Sequence, residues 1–247
     1  MLAIIGGSGL TQLACLEVSR HEIVRTPYGE PSGTLTFGRI GPQDVVFLAR
    51  HGYGHTIPPH RVNYRANIWA LVRAAGASGI VSVASVGGIR ADLGPGALVV
   101  PHQIIDYTWG RPHTFFDGGE APVAHVDFTE PYDRDLRERL LCAGEAVGLT
   151  VSGAAVYAAT QGPRLESAAE IERCARDGAD IVGMTGMPEA GLARELETPY
   201  AAICAVANWA AGRGDSASAI RLDQIEAVLQ ESLGQVRRVI EHLCATA

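Results

Sequence analysis

Short apolar runs rich in Val, Ile and Ala recur along the whole chain, at 2–5, 34–40, 45–49, 79–86, 97–105, 154–160, 180–184 and 200–207. Helical periodicity occupies most of the intervals between the later runs, at 62–75, 133–147, 166–177 and 189–196, with a terminal helix from 221 to about 243. Continuous apolar runs mark strands buried on both faces, and helices between them supply the crossovers that parallel strands require. The alternation therefore predicts an α/β fold with a mostly parallel mixed central sheet flanked by helices. One segment departs from it: "TLTFGRIGPQDVVFLAR" reads as an antiparallel hairpin turning at Gly41-Pro42. No linker interrupts the 247 residues, and 47% hydrophobic content suffices for one core, so a single domain over 1–247 is expected. The longest stretch without periodicity, 107–131, is rich in Gly, Pro, His and Phe and reads as a lid, interface arm or binding loop.

Composition removes several function classes. All twenty basic residues are arginine, so no P-loop lysine, Schiff-base lysine or lysine nucleophile exists. A formal charge of −7 leaves no basic face, and nucleic acid is not expected as a partner. Cysteines at 15, 142, 174, 204 and 244 form no CxxC pair, which argues against a disulfide framework or a zinc site and for a reducing, cytoplasmic setting. The start "MLAIIGGSGL" has no basic region and too short an apolar run for a secretion signal or membrane span, so no membrane association is expected.

The chemistry gathers at strand ends, where open α/β sheets place their ligand crevice. "RHGYGHTIPPHRVNYRAN" (50–67) holds three arginines and three histidines, and its Arg50 and His51 directly follow the run 45–49. There Arg50 can fork onto two phosphate oxygens, and His51 and His55 can donate to the same anion or to sugar hydroxyls. "IIGGSG" offers backbone N–H groups and the Ser8 hydroxyl as an oxyanion nest, or is a plain strand-to-loop turn; the dinucleotide fingerprint fails because Gln12 replaces its third glycine. "SVASVGGIR" ends a strand in small residues, with Ser85 as a further hydroxyl. "TQGPRLES" puts Glu166 at a helix start, where it is a ligand group or merely a favourable first-turn acid. "GMTGMPEAGLARE" brings Met184 and Thr185 off a strand before a Pro-initiated helix, and "AVANWAAG" ends a strand in Asn208. Together these ends describe a cleft for a phosphate beside a polar heterocycle.

In this order, "GGSGL", "RHGYGHTIPPHRVNYRANI", "ASVGGIR", "IDYTWGRPHTFFDG", "QGPRLES", "GMTGMPEAGLARE" and "VANWAAG" resemble the trimeric nucleoside phosphorylases, in their methylthioadenosine phosphorylase branch. The resemblance covers nearly the whole chain. It implies phosphorolysis of a purine nucleoside, with inorganic phosphate as co-substrate and neither cofactor nor metal. By resemblance, Ser8, Arg50, His51, Ser85 and Thr185 form the phosphate shell. Met184 lies against the ribose, His55 near the sugar-phosphate junction, and Val86, Gly87, Leu165, Glu166 and Asn208 around the base. Leu165 stands where the family usually has phenylalanine.

Adenine-specific relatives present aspartates in the stretch that here reads "NWAAG", with Asn208 and Ala210, whereas 6-oxopurine phosphorylases pair such an asparagine with a glutamate, here Glu166. At the 5′ end, inosine-cleaving relatives offer a histidine near the start of the last helix. "SAIRLDQIEAVL" instead has Leu222 and Ile225, which suit a methylthio group or are simply the buried stripe of an amphipathic helix. His125 resembles a residue donated by a neighbouring subunit, which implies a homotrimer. The expected reaction is phosphorolysis of S-methyl-5′-thioinosine to hypoxanthine and 5-methylthioribose 1-phosphate. Methylthioadenosine phosphorolysis and general 6-oxopurine phosphorolysis are the enzymatic alternatives, and a non-catalytic nucleoside-binding module is the alternative of another class.

Overall fold

The computed structural model describes residues 1–10, 13–118, 122–220 and 222–246, and for residues 222–224 the backbone alone. Its strands are β1 (Leu2–Gly6), β2 (Glu17–Glu22), β3 (Leu35–Ile40), β4 (Gln43–Ala49), β5 (Gly79–Gly88), β6 (Leu98–Val99), β7 (Gln103–Asp106), β8 (Val151–Ser152), β9 (Val156–Ala159), β10 (Ile181–Gly183) and β11 (Tyr200–Trp209). The α-helices are α1 (Tyr64–Trp69), α2 (Arg134–Ala146), α3 (Ala168–Arg176), α4 (Gly186–Glu195) and α5 (Leu222–Ala245).

All eleven strands join one mixed sheet, whose main path runs β2-β3-β4-β1-β5-β10-β9-β7, with β11 on β5 and β6, and β8 on β6. The expected hairpin is present: β3 and β4 pair antiparallel across Gly41 and Pro42, with Gly41 at φ 56°. Alternate side chains of the central strands enter different layers, as a period of two requires. Ala3 and Ile5, Ile80 and Ala84, and Ala202 and Cys204 pack with Ile68, Leu71, Ala190 and Leu192. Ile4, Val81, Val83, Ile203 and Ala205 pack with Leu136, Leu140, Val236, Val239 and Ile240 of α2 and α5. A smaller cluster seats Ile171 and Cys174 of α3 against Ala158 and Val182.

Several elements differ from the sequence expectation. The run 97–105 is two strands, since Pro101 offers no N–H and the chain moves from β11 and β8 to β9 across it. Strand β2 has no apolar run because all six of its residues are exposed at the sheet edge. Helix α3 begins at Ala168, because Ser167 is its N-cap and forms a capping box with Glu170. Glu166 therefore precedes the helix and is not a first-turn acid.

One feature of β5 opens the crevice. It pairs with β1 only over Gly79–Ser82 and with β10 only at Gly87 and Gly88, while β11 follows its other edge throughout. Between those pairings, residues 83–86 have no strand partner on the β1 side. The carboxyl ends of β1 and β4 face that gap.

Candidate active site

A cavity of about 850 Å³ lies at these strand ends. Ser8, Arg50, His51, His55, Ser85, Val86, Gly87, Leu165, Glu166, Met184, Thr185, Asn208 and Ile225 all line it. Gly7 lets the chain pass between β5 and Arg50: a Cβ there would stand 2.5 Å from the Val83 carbonyl and 2.9 Å from Arg50 Nη1.

Arg50 is fully buried, and its fork does not open toward the cavity. Its Nε and Nη2 donate to the two carboxylate oxygens of Glu189, the latter at 3.1 Å. Nη2 also donates to Ser82 Oγ at 2.6 Å, and Nη1 to the Val83 carbonyl at 3.1 Å. Of five guanidinium hydrogens, one on Nη1 is left. The expected two-oxygen grip on phosphate is thus corrected: Glu189 occupies the bidentate edge. Burial lowers the Arg50 pKa, but the charge and hydrogen bonds of Glu189 outweigh it and hold the guanidinium above its ordinary value. Glu189 also accepts from Ser82 Oγ at 3.0 Å and from the Tyr200 hydroxyl at 2.9 Å. Sequence reading passes over Glu189, Ser82 and Tyr200; the one available signal for Glu189 is an acid inside the otherwise apolar "MPEAGLA".

His51 Nδ1 lies 2.8 Å from the Ile57 carbonyl, which only accepts, so this nitrogen carries the hydrogen and Nε2 is bare in the neutral ring. Burial, then the charge of Arg50, lowers the His51 pKa to about 4. The His55 ring lies tilted against that of His51, 4.5 Å between centroids, and His55 takes φ 56°, a left-handed conformation that costs a side-chain-bearing residue about 1–2 kcal/mol. Gly52 and Gly54, also at positive φ, precede it in the same turn.

At the other end, Thr160 Oγ1 donates to Glu166 Oε1 at 2.5 Å. Asn208 Nδ2 donates to the Trp209 carbonyl at 2.7 Å, which leaves its second N–H and Oδ1 available. A bulge on β11 between Val206 and Asn208 interrupts the register with β5 at this level. Leu165 is 40% exposed and lies open to solvent. Ile57, Pro58, Pro59, Ile220, Ile225 and Leu229 add an apolar lining. The side chain of Leu222 lies outside the described residues, as does Gln12. His125 is exposed and does not line the cavity of its own chain. Among the described residues, no group of three or more His, Cys, Asp or Glu is arranged to hold a metal ion.

Residues 1–245 match the family described as the phosphorylase superfamily. The chain belongs to this superfamily. It is 51% identical over 245 residues to the probable S-methyl-5′-thioinosine phosphorylase of Pseudomonas syringae pv. tomato, covering 99% of this chain and 98% of that one. It is 50% identical over 216 residues to the 6-oxopurine nucleoside phosphorylase of Pyrococcus furiosus, covering 85% and 80%. Among solved structures, methylthioadenosine phosphorylase from Schistosoma mansoni in complex with adenine superposes with a TM-score of 0.93 at 32% identity, covering 99% of this chain and 91% of that one.

In this phosphorylase the long loop after β7 is tied to the cavity by Arg111, which the sequence reading includes in a quoted motif without giving it a role. Arg111 is buried and donates to the carbonyls of Thr160, Gln161, Met184 and Met187 and to the Tyr64 hydroxyl. It fastens the segments that carry Glu166 and Met184 to each other. Asn63 caps α1 by accepting from the Ala66 N–H and donates to the Tyr28 carbonyl, and Asn67 holds Ser32, so both tie α1 to the segment before β3.

Proposed function

We propose that this phosphorylase cleaves S-methyl-5′-thioinosine with inorganic phosphate, giving hypoxanthine and 5-methylthioribose 1-phosphate. The observation that carries the reading is one cavity holding Glu166, pinned as an acceptor by Thr160, with Asn208 rather than an acid nearby and Ile220, Ile225 and Leu229 in its lining. In the reaction, a phosphate oxygen bonds to C1′ while the C1′–N9 bond breaks and its electron pair passes to the base. Negative charge then develops on the purine, and fixed donors aimed at it lower the barrier. Glu166 Oε2 accepts the N1 hydrogen of a 6-oxopurine, and the free Asn208 N–H donates to N7 or O6. Ser8, Ser85 and Thr185 hydroxyls and the remaining Arg50 N–H surround the phosphate, and the bare Nε2 of His51 accepts from a protonated phosphate oxygen, with His55 near the sugar-phosphate junction and Met184 against the ribose. Val86, Gly87 and Leu165 border the base. No cofactor is required by this chemistry.

General 6-oxopurine phosphorolysis is the second reading, favoured by the Pyrococcus relative; the two differ only at the 5′ group. Burying a methylthio group on the apolar lining gains about 1–3 kcal/mol, and leaving a hydroxyl unpaired there costs a similar amount. A panel of methylthioinosine, methylthioadenosine, inosine and adenosine with phosphate tests both. The expected order of kcat/KM puts methylthioinosine first. Preference for methylthioadenosine refutes the base assignment, and equal efficiency on inosine refutes the apolar slot.

A homotrimer in which His125 reaches a neighbouring site fits this reading, supported by the exposed Trp109, Val123 and Val126 near it in sequence. A fully active monomer in light scattering under assay conditions would reject it. A cytoplasmic setting is supported by five unpaired cysteines. Among the described residues no helix is long and apolar enough to cross a membrane.

A further inference from the structure

We infer that Thr160 is a positioning residue that sets base selectivity by pinning Glu166. The inference rests on the oxopurine reading above and deepens it. Glu166 stands between two cavities. It lines the 850 Å³ site and also a second cavity of about 470 Å³, bordered by Tyr107, Trp109, Gln161, Arg164 and Cys174. A carboxylate on a short loop segment between two open spaces can rotate into either, so something must hold it toward the substrate.

Among the described residues, Glu166 makes no ion pair: nearby Arg164 is engaged by Glu170, and Arg173 by Asp177. Its hydrogen-bond donor is Thr160, which borders the second cavity and not the first. Thr160 is itself fixed, since its backbone N–H donates to the Gly183 carbonyl at 2.8 Å and seats it on β10. Its hydroxyl has one hydrogen and two acceptors in reach, Glu166 Oε1 at 2.5 Å and the Gly183 carbonyl at 3.3 Å. The shorter contact, in the range of O–H···O⁻ bonds, takes the hydrogen. Thr160 therefore grips Oε1 from behind and leaves Oε2 for the substrate. An ionised, fixed acceptor matches the N1 hydrogen of a 6-oxopurine and opposes the bare N1 of a 6-aminopurine. Arg164 and Cys174 are other polar side chains that border the second cavity beside Glu166. Neither makes a hydrogen bond to it, so the restraint falls to Thr160.

The test is steady-state kinetics of the full-length enzyme, Thr160→Val and Thr160→Ser, on methylthioinosine and methylthioadenosine at saturating phosphate, with phosphate varied separately at saturating nucleoside. Valine keeps the shape and removes the donor, while serine restores the donor alone. In Thr160→Val the ratio of kcat/KM for methylthioinosine over methylthioadenosine is expected to fall about tenfold or more, the scale of one hydrogen bond to a charged group. Phosphate KM should stay within about twofold, and Thr160→Ser should recover most of the ratio. A merely structural role would shift phosphate KM and both nucleosides together and leave the ratio alone, and that outcome overturns the inference. If Thr160→Val does not fold, Thr160→Ser still decides: its ratio must stay within about threefold of wild type, and a collapse refutes the role of the hydroxyl. A wild-type preference for methylthioadenosine overturns the oxopurine reading and the inference with it. A wild-type preference for methylthioinosine with an unchanged ratio in Thr160→Val overturns the inference alone.

Discussion

Replacing Glu189 by glutamine removes one charge from the most buried ion pair described and leaves the volume almost unchanged. Both side chains are 1% exposed, and the carboxylate receives four donated hydrogens, from Arg50 Nε and Nη2, Ser82 and Tyr200. Glutamine supplies one acceptor oxygen and turns an NH₂ group toward donors, so Arg50 keeps its charge while fully buried. Breaking a buried pair on one side costs about 3–5 kcal/mol. For a chain of this size each kcal/mol moves Tm by roughly 2–4 °C, so a fall of about 6–20 °C is expected. Because Arg50 is held above its ordinary value, its contribution is fully present across the neutral range and is lost only at strongly alkaline pH. The deficit should therefore be constant between about pH 6 and pH 9. Urea and thermal unfolding at fixed protomer concentration measure it. Added phosphate should raise the Tm of Glu189→Gln more than that of wild type, since an unpaired guanidinium gains a counterion. The decisive control is Glu189→Gln with Arg50→Met, which removes the stranded charge and should recover much of the lost stability. A single variant losing less than about 1 kcal/mol, or a double variant no more stable than the single, refutes the argument.

Three further outcomes are expected. Asn208→Asp should move activity toward the 6-amino base, by supplying a carboxyl that accepts from its amino group; kcat/KM on methylthioadenosine must rise relative to methylthioinosine, and an unmoved ratio sinks the assignment of Asn208 to the base. His51, lowered to about 4 from 6.5, binds no proton in the fold across a window where the unfolded chain does. Its contribution is present above about 6.5 and is lost as pH falls toward about 4, so the stability slope in that window, near 1.4 kcal/mol per pH unit, should flatten in His51→Asn. Ser167→Ala should cost about 1 kcal/mol in urea unfolding by breaking the α3 capping box, and no loss would show that α3 is held by packing alone.

Much of the fold is written locally. The buried strands β1, β4, β5 and β11 announce themselves as continuous Val, Ile and Ala runs, because both of their faces are covered. The hairpin of β3 and β4 is legible from Gly41-Pro42 between two apolar segments. Strand β2 is not, because an exposed edge strand needs no apolar residues, and its "EVSRHE" carries no pattern against solvent. The sequence positions of Ser8, Arg50, Ser85, Met184, Thr185 and Asn208 are equally accessible, since each lies near the carboxyl end of a strand or just past it. What could not be read is which donor meets which acceptor. Arg50 and Glu189 are 139 residues apart in sequence, and only the meeting of β4, β5, β11 and α4 joins them. Thr160 and Glu166 are six residues apart, yet their contact depends on the turn at Gly162 and Pro163 and on Ser167, rather than Glu166, serving as the N-cap of α3.

The same gap between composition and contact changes how the proposed phosphate end would work. The segment 50–67 looks strongly cationic, but folding disposes of much of its charge: Arg50 is paired with Glu189, Arg65 with Asp117, and His51 is neutral with its Nδ1 hydrogen given to Ile57. The lining that remains offers hydroxyls of Ser8, Ser85 and Thr185, one Arg50 N–H and the backbone at the open stretch of β5. An anion held by such dipoles is oriented without being neutralised. For a phosphate that must attack carbon this distinction matters. A bidentate arginine grip would stabilise the free dianion as much as or more than the transition state, in which its charge passes partly to the sugar, and binding the ground state that well adds nothing to kcat. On the proposed reaction, Glu189 therefore does more than fill a buried position: by occupying the guanidinium fork, it keeps phosphate affinity below what the residue count implies and leaves the nucleophile its charge.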